Sequence, residues 1–183
     1  MFPPLKTQRC RLRKIRPTDI KQVFAALSDP AVITHYGVAY SSLAATQIQM
    51  DWFSNIYAQQ SGIWWGICIA GNDREIIGAC GFNQWNHDVR SLELGYWLLP
   101  EYWGQGLTRE CVNIISSHAF TEMGIHRIEA VVEPENRASW RLLEKCGFHH
   151  EGTRRECEIK DGRFISLKIY SRLATDEYPV GLP

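Results

Sequence analysis

The sequence predicts a mixed α/β (α+β) domain, with a mostly antiparallel sheet and one helical crossover that sets two strands parallel. Three observations predict it. Apolar runs at 64–70, 75–82 and 92–99 succeed one another across short turn sequences, as antiparallel neighbours do. Residues 107–123 then carry Leu107, Cys111, Ile114, Ile115 and Ala119 at helical spacing, and a strand pattern at 126–132 follows. A helix between two strands of one sheet is a crossover, so those strands run parallel.

The elements follow in order. Residues 9–15 alternate as a strand does. Pro17-Thr18-Asp19 opens an amphipathic helix, since proline is tolerated in a first turn and Asp19 suits the positive end of the helix dipole. Asp29-Pro30 is expected to end it, and a second helix to run over 43–59. Gly71-Asn72-Asp73 and Asn86-His87-Asp88 are the turns between the three apolar strands. Gly124 stops the crossover helix. Pro134-Glu135-Asn136 precedes a helix ending at Gly147. Residues 148–159 and 163–170 form a hairpin around Lys160-Asp161-Gly162, and the tail from Ala174 is expected to be loosely held. Neither a linker nor an internal repeat divides the 183 residues, so one domain is expected.

Composition narrows the function classes. Lysine plus arginine equals aspartate plus glutamate, at 20 each, whereas nucleic-acid binders show a basic excess. There is no apolar run long enough for a membrane span and no signal-peptide core. The six cysteines (Cys10, Cys68, Cys80, Cys111, Cys146, Cys157) have no C-x-x-C spacing, so neither zinc nor redox chemistry is expected, and a reducing cytoplasm fits. Cys68, Cys80 and Cys111 lie in apolar stretches and read as core residues. His149 and His150 are adjacent in a strand pattern, hence on opposite faces, which disfavours a shared metal. Trp52, Trp64, Trp65 and Trp85 read either as packing or as the lining of a substrate cleft.

The chemistry-bearing segment is Tyr102-Trp103-Gly104-Gln105-Gly106-Leu107-Thr108-Arg109, between a strand and a helix. Glycines allow a tight turn and close approach of a ligand, and a helix N-terminus favours an anion such as pyrophosphate. Arg109 stands where a dinucleotide fingerprint needs its third glycine, and no lysine follows as in a P-loop. Two glycines alone also occur in plain turns.

The segment resembles the pyrophosphate loop of the GNAT superfamily of N-acetyltransferases, [Q/R]-x-x-G-x-[G/A], with two departures: Trp103 for Gln/Arg and Thr108 for Gly/Ala. The preceding Leu94-Gly95-Tyr96-Trp97-Leu98-Leu99-Pro100 is similar to the RimJ/RimL-like, ribosomal-protein N-terminal acetyltransferase branch. So are Glu135-Asn136-Arg137-Ala138-Ser139, Leu143-Glu144-Lys145-Cys146-Gly147-Phe148 and the N-terminal Arg11-Leu12-Arg13-Lys14-Ile15-Arg16. The resemblance covers about residues 9–172. It implies the GNAT-like acyl-CoA N-acyltransferase fold, with helices on both faces of the sheet and a splayed parallel strand pair, here 92–99 and 126–133. Acetyl-CoA would lie in that opening as co-substrate, with no metal.

By the same resemblance, Trp97, Leu98 and Leu99 line pantetheine, and an N–H near Leu98 faces the thioester oxygen. Trp103, Gly104, Gln105, Gly106, Leu107, Thr108 and Arg109 hold the pyrophosphate. Asn136 and Ser139 reach the cofactor, and Asn136 also suits a helix N-cap. The tyrosine that protonates the thiolate in many relatives is replaced here by Leu143; in the RimJ/RimL-like branch a serine has that role, and the resemblance assigns it to the matching Ser139. Glu93 is the candidate base, or else a cross-strand salt-bridge partner. The acceptor implied is a primary amine. A protein N-terminal α-amine is favoured, and a polyamine, aminoglycoside or amino-acid derivative is the alternative. A CoA-binding sensor without turnover is the reading from another class. The oligomeric state stays open, a homodimer included.

Overall fold

A computed structural model describes residues 2–177. Its elements are β1 (Leu5–Lys6), β2 (Cys10–Lys14), α1 (Ile20–Ser28), α2 (Pro30–Ile33), α3 (Leu43–Ala58), β3 (Ile63–Ile69), β4 (Gly78–Asn86) and β5 (Ser91–Leu98). They continue with α4 (Leu107–Thr121), β6 (Arg127–Val132), α5 (Arg137–Lys145), β7 (His149–Lys160) and β8 (Arg163–Leu173). The described strands join one sheet in the order β1-β2-β3-β4-β5-β6-β8-β7. Every pairing is antiparallel except β5 with β6, which the α4 crossover makes parallel as expected.

Two apolar clusters sit on the two faces of the sheet. Leu107, Cys111, Val112, Ile115 and Ala119 of α4 and Leu143 of α5 pack on Leu12, Trp65, Phe82 and Leu94. Val23, Ala26 and Leu27 of α1, Val32 of α2 and Met50, Phe53 and Ile56 of α3 pack on Trp64, Cys68, Ala79 and Trp97. Adjacent Trp64 and Trp65 therefore enter opposite cores, as strand alternation requires. All three cysteines expected in the core are fully buried, and Cys10 and Cys146 join them. Arg13 of β2 forms a buried ion pair with Asp19 at 2.8 Å, which ties the start of α1 to the sheet.

Three sequence expectations are corrected and one is extended. α1 ends at Ser28, where Asp29-Pro30 is expected to end it. Asp29 accepts the Ala31 N–H and caps a new short helix, α2, with Pro30 in its first turn. The segment 75–77 lies outside β4, which begins at Gly78. A two-residue strand, β1, pairs with β2 where none is expected. The tail is held at its start: Ala174 N–H bonds His126 O, and Asp176 accepts the Leu173 N–H. The remainder of the expected loose tail, 178–183, lies outside the described residues. In the β7–β8 hairpin the turn residues Asp161 and Gly162 both take positive φ, 50° and 74°, the turn chemistry that suits a two-residue loop.

Candidate functional site

The parallel pairing of β5 with β6 lasts for three residue pairs, Ser91 with Arg127, Leu92 with Ile128 and Glu93 with Glu129. Beyond Glu93 the strands part. Each keeps its outer antiparallel neighbour: β5 stays on β4, and Ala130, Val131 and Val132 stay on β8. The inner edges of both strands then border a cleft of about 850 Å³. Arg127 N–H bonds Arg90 O across to β6, and Leu99 N–H bonds Ile77 O back to the β4 side. Alternation between those two points turns the backbone groups of Tyr96 and Leu98 towards the cleft. Leu99 itself turns away and packs against the α1–α3 cluster.

One end of the cleft is closed by the glycine loop. Gly104 and Gly106 have φ of 71° and 78°, left-handed values that favour glycine. Gly106 is the N-cap of α4 and offers no side chain, so the first-turn N–H groups of α4 have no capping side-chain acceptor. Trp103 accounts for one departure from the family pattern. Its indole Nε1 donates to Leu98 O at 2.6 Å, pinning the loop to the end of β5. Gly104, Gly106, Leu107, Thr108 and Arg109 border the cleft, and Gln105 points outward to donate to Glu101 O. The Arg109 Nε is buried without a hydrogen-bond partner among the described residues.

The side of the cleft opposite β5 carries Asn136 and Ser139 at the start of α5. Asn136 Oδ1 accepts the Ser139 N–H at 3.2 Å, which is the expected N-cap. Ser139 Oγ lies 2.6 Å from the Tyr96 hydroxyl. Burial pushes the Tyr96 phenol up, partly offset by that hydrogen bond, so it stays neutral and able to donate. Leu143, one turn further along α5, is fully buried in the core. Tyr96 enters the sequence reading only as a letter in a motif. Its bond to Ser139 joins residues 43 apart, for which no local pattern exists.

Glu93 does not border the cleft. It stands at the last β5–β6 pair, where the strands begin to part, and takes hydrogen bonds from Asn83 Nδ2 (3.3 Å) and Gln84 Nε2 (2.9 Å). It makes no salt bridge among the described residues. Burial raises its pKa above the ordinary carboxylate range; the Asn83 bond opposes this, and nearby Glu129 adds to it.

The far wall is formed by Ala31, Val32, His35 and Tyr36. It is held by a clip. His35 Nδ1 meets one Glu133 carboxylate oxygen at 2.8 Å, and Lys160 Nζ meets the other while also donating to Thr34 O. Burial works to raise the Glu133 carboxyl, but the bonds from Lys160 and His35 outweigh it and hold it below the ordinary range. Trp52, Trp64, Trp65 and Trp85 do not border this cleft. All four pack in or against the cores, and Trp85, stacked on His87, also borders a separate hollow of about 440 Å³ beside α3. Among the described residues no group of three or more His, Cys, Asp or Glu could hold a metal ion, and no helix is long and apolar enough to cross a membrane.

A family model described as an acetyltransferase (GNAT) domain matches residues 9–149. YoaA of Bacillus subtilis, described as an uncharacterized N-acetyltransferase, is 36% identical over 93% of this chain and 97% of its own. Among solved structures, a spermidine N-acetyltransferase from Vibrio cholerae in complex with CoA and spermine superposes with a TM-score of 0.81 at 22% identity, over 93% of this chain and 98% of that one. The ribosomal-protein-S5-alanine acetyltransferase from Vibrio fischeri superposes with a TM-score of 0.82 at 18% identity, over 97% and 100%. These two likenesses are of fold.

Proposed function

The chain belongs to the GNAT acetyltransferase family, and from that premise we propose that it moves the acetyl group of acetyl-CoA to a protein N-terminal α-amine, in the manner of the RimJ/RimL-like branch. One observation carries the reading. A cleft opened between parallel strands has a glycine-bearing helix N-terminus at one end and a hydroxyl pair, Tyr96–Ser139, beside β5. Acetyl-CoA supplies an activated acyl carbon and a thiol leaving group. The first-turn N–H groups of α4, with Arg109, suit its pyrophosphate, and the buried, unpartnered Arg109 Nε supports that fit. The Leu98 N–H faces the cleft where a developing oxyanion needs a donor. Ser139 Oγ donates a hydrogen bond to the departing sulfur. Glu93, with its carboxyl raised by burial, takes the proton of the amine through an intervening water, since it stands back from the cleft. Attack is direct, without a covalent enzyme intermediate.

Two arguments support the α-amine. With a pKa near 8, about one-tenth of it is neutral at pH 7, against less than about one in a thousand for a lysine amine near 10.4. Glu133, behind the far wall, is already paired with His35 and Lys160, which leaves it poorly available to a polycation. Thiol release from acetyl-CoA, measured with a lysine-free peptide, an N-blocked lysine peptide, spermidine and an aminoglycoside, tests the choice. The free α-amine peptide is expected to turn over fastest. Turnover with spermidine alone removes the α-amine assignment. Binding of acetyl-CoA without turnover on any amine favours a sensor instead.

A further inference from the structure

By distance the Tyr96–Ser139 contact can run either way, and Ser139 O also lies 3.5 Å from the phenol, so the chemistry of the two hydroxyls decides the direction. At 2.6 Å one hydroxyl donates to the other. A phenol is the more acidic of the two and so the better donor, and the aliphatic oxygen is the better acceptor. Serine within a helix often turns its proton back to the carbonyl four residues earlier. Here that carbonyl, Glu135 O, accepts from Arg137 N–H, and the hydrogen bond found at Ser139 Oγ is the one with Tyr96. The Ser139 N–H is meanwhile held by the Asn136 cap, which fixes the backbone from which the hydroxyl projects. Tyr96 is anchored in turn, since β5 keeps its pairing with β4 through Cys80 opposite Tyr96.

From this arrangement we propose that Tyr96 is a positioning residue for acetyl transfer: by donating to Ser139 Oγ it leaves the serine proton free to point into the cleft, towards the departing sulfur. The proposal rests on the acetyltransferase reading above. As the amine attacks, the C–N bond forms, the C–S bond breaks and sulfur keeps the bonding pair. The Ser139 hydroxyl stabilises that thiolate by a hydrogen bond, the amine proton leaves by way of Glu93 and water, and solvent protonates the released thiolate to the thiol. Tyr96 itself transfers no proton. Its phenol comes from a strand, because the α5 position one turn beyond Ser139 is the core residue Leu143.

The test is a double-mutant cycle on the full chain, with wild-type turnover as its first arm. Tyr96→Phe should lower kcat about five- to tenfold, leaving the acetyl-CoA Kd and the melting temperature unchanged. In a Ser139→Ala background the same change should cost less than about twofold, and in a Ser139→Thr background it should cost about as much as in wild type. Equal losses in all three backgrounds overturn the proposal. Should Tyr96→Phe melt early, Tyr96→3-fluorotyrosine keeps the packing and makes the phenol more acidic. It should raise kcat when residue 139 carries a hydroxyl, and a flat response overturns the proposal. Absence of acetyl transfer by the wild-type protein overturns the acetyltransferase reading, a result distinct from a wild type that turns over but ignores Tyr96.

Discussion

The two walls of the cleft are built in different ways. Residues 98–109 and 136–145 are fixed by interactions that span a few residues: positive φ at Gly104 and Gly106, the Trp103 bond to Leu98 five residues back, and the Asn136 cap on Ser139. The wall at 31–36 is fixed by side chains that meet across 98 and 126 residues of chain, His35 on Glu133 and Lys160 on Thr34. A wall made by local rules is rigid and readable, and suits a ligand that does not vary. A wall held by three polar side chains can be retuned by single substitutions.

The comparison can be broken or sharpened by substitution. The largest expected effect is on the foundation of the 31–36 wall. Asp19→Ala leaves the buried Arg13 guanidinium unpaired and should cost about 3–5 kcal/mol in chemical denaturation. A loss below about 1 kcal/mol would show that α1 does not depend on this pair. Next is Glu93→Gln, at the last β5–β6 pair, set back from the cleft. A base must be unprotonated, and burial has raised this carboxyl, so kcat/KM should rise with pH through a value above the ordinary glutamate range. The variant should lose about 100-fold at neutral pH and less at alkaline pH. A pH profile that keeps the wild-type limb removes Glu93 as base. Gly106→Val forces a β-branched residue into φ 78° and should weaken acetyl-CoA binding about 10- to 100-fold by calorimetry, in line with a strain of about 1–3 kcal/mol. The smallest effect belongs to the clip. Glu133→Gln should change the acceptor KM about three- to tenfold and leave the acetyl-CoA Kd alone. If it shifts the Kd instead, the two walls are not separable.

The same division explains what the sequence discloses. The crossover helix, its Gly124 stop, the Asn136 cap and the hairpin turn rest on residue types at short spacing, and each is where the pattern puts it. Asp29-Pro30 ends α1 as expected, but the start of α2 at the same place depends on the Asp29 side chain accepting the Ala31 N–H, which proline alone does not disclose. Strand β1 is too short to show alternation and exists through its pairing with β2. Trp64 and Trp65 look alike in sequence, but alternation sends them to different cores. Tyr96 and the Glu133 clip are invisible in one dimension because their meaning lies in partners far along the chain.

The short parallel contact between β5 and β6 also bears on how the molecule opens. Three residue pairs and the α4 crossover join a five-stranded half to a three-stranded half, so this seam has the fewest backbone rungs of the sheet's interior. Amide hydrogens facing the cleft, such as that of Leu98, should exchange early, while those on the β3–β4 ladder persist. A ligand seated in the gap staples the halves. Acetyl-CoA at 100 times its Kd should add about 2.7 kcal/mol to unfolding and slow exchange along the seam before anywhere else. In that sense the co-substrate acts as the sheet's missing strand.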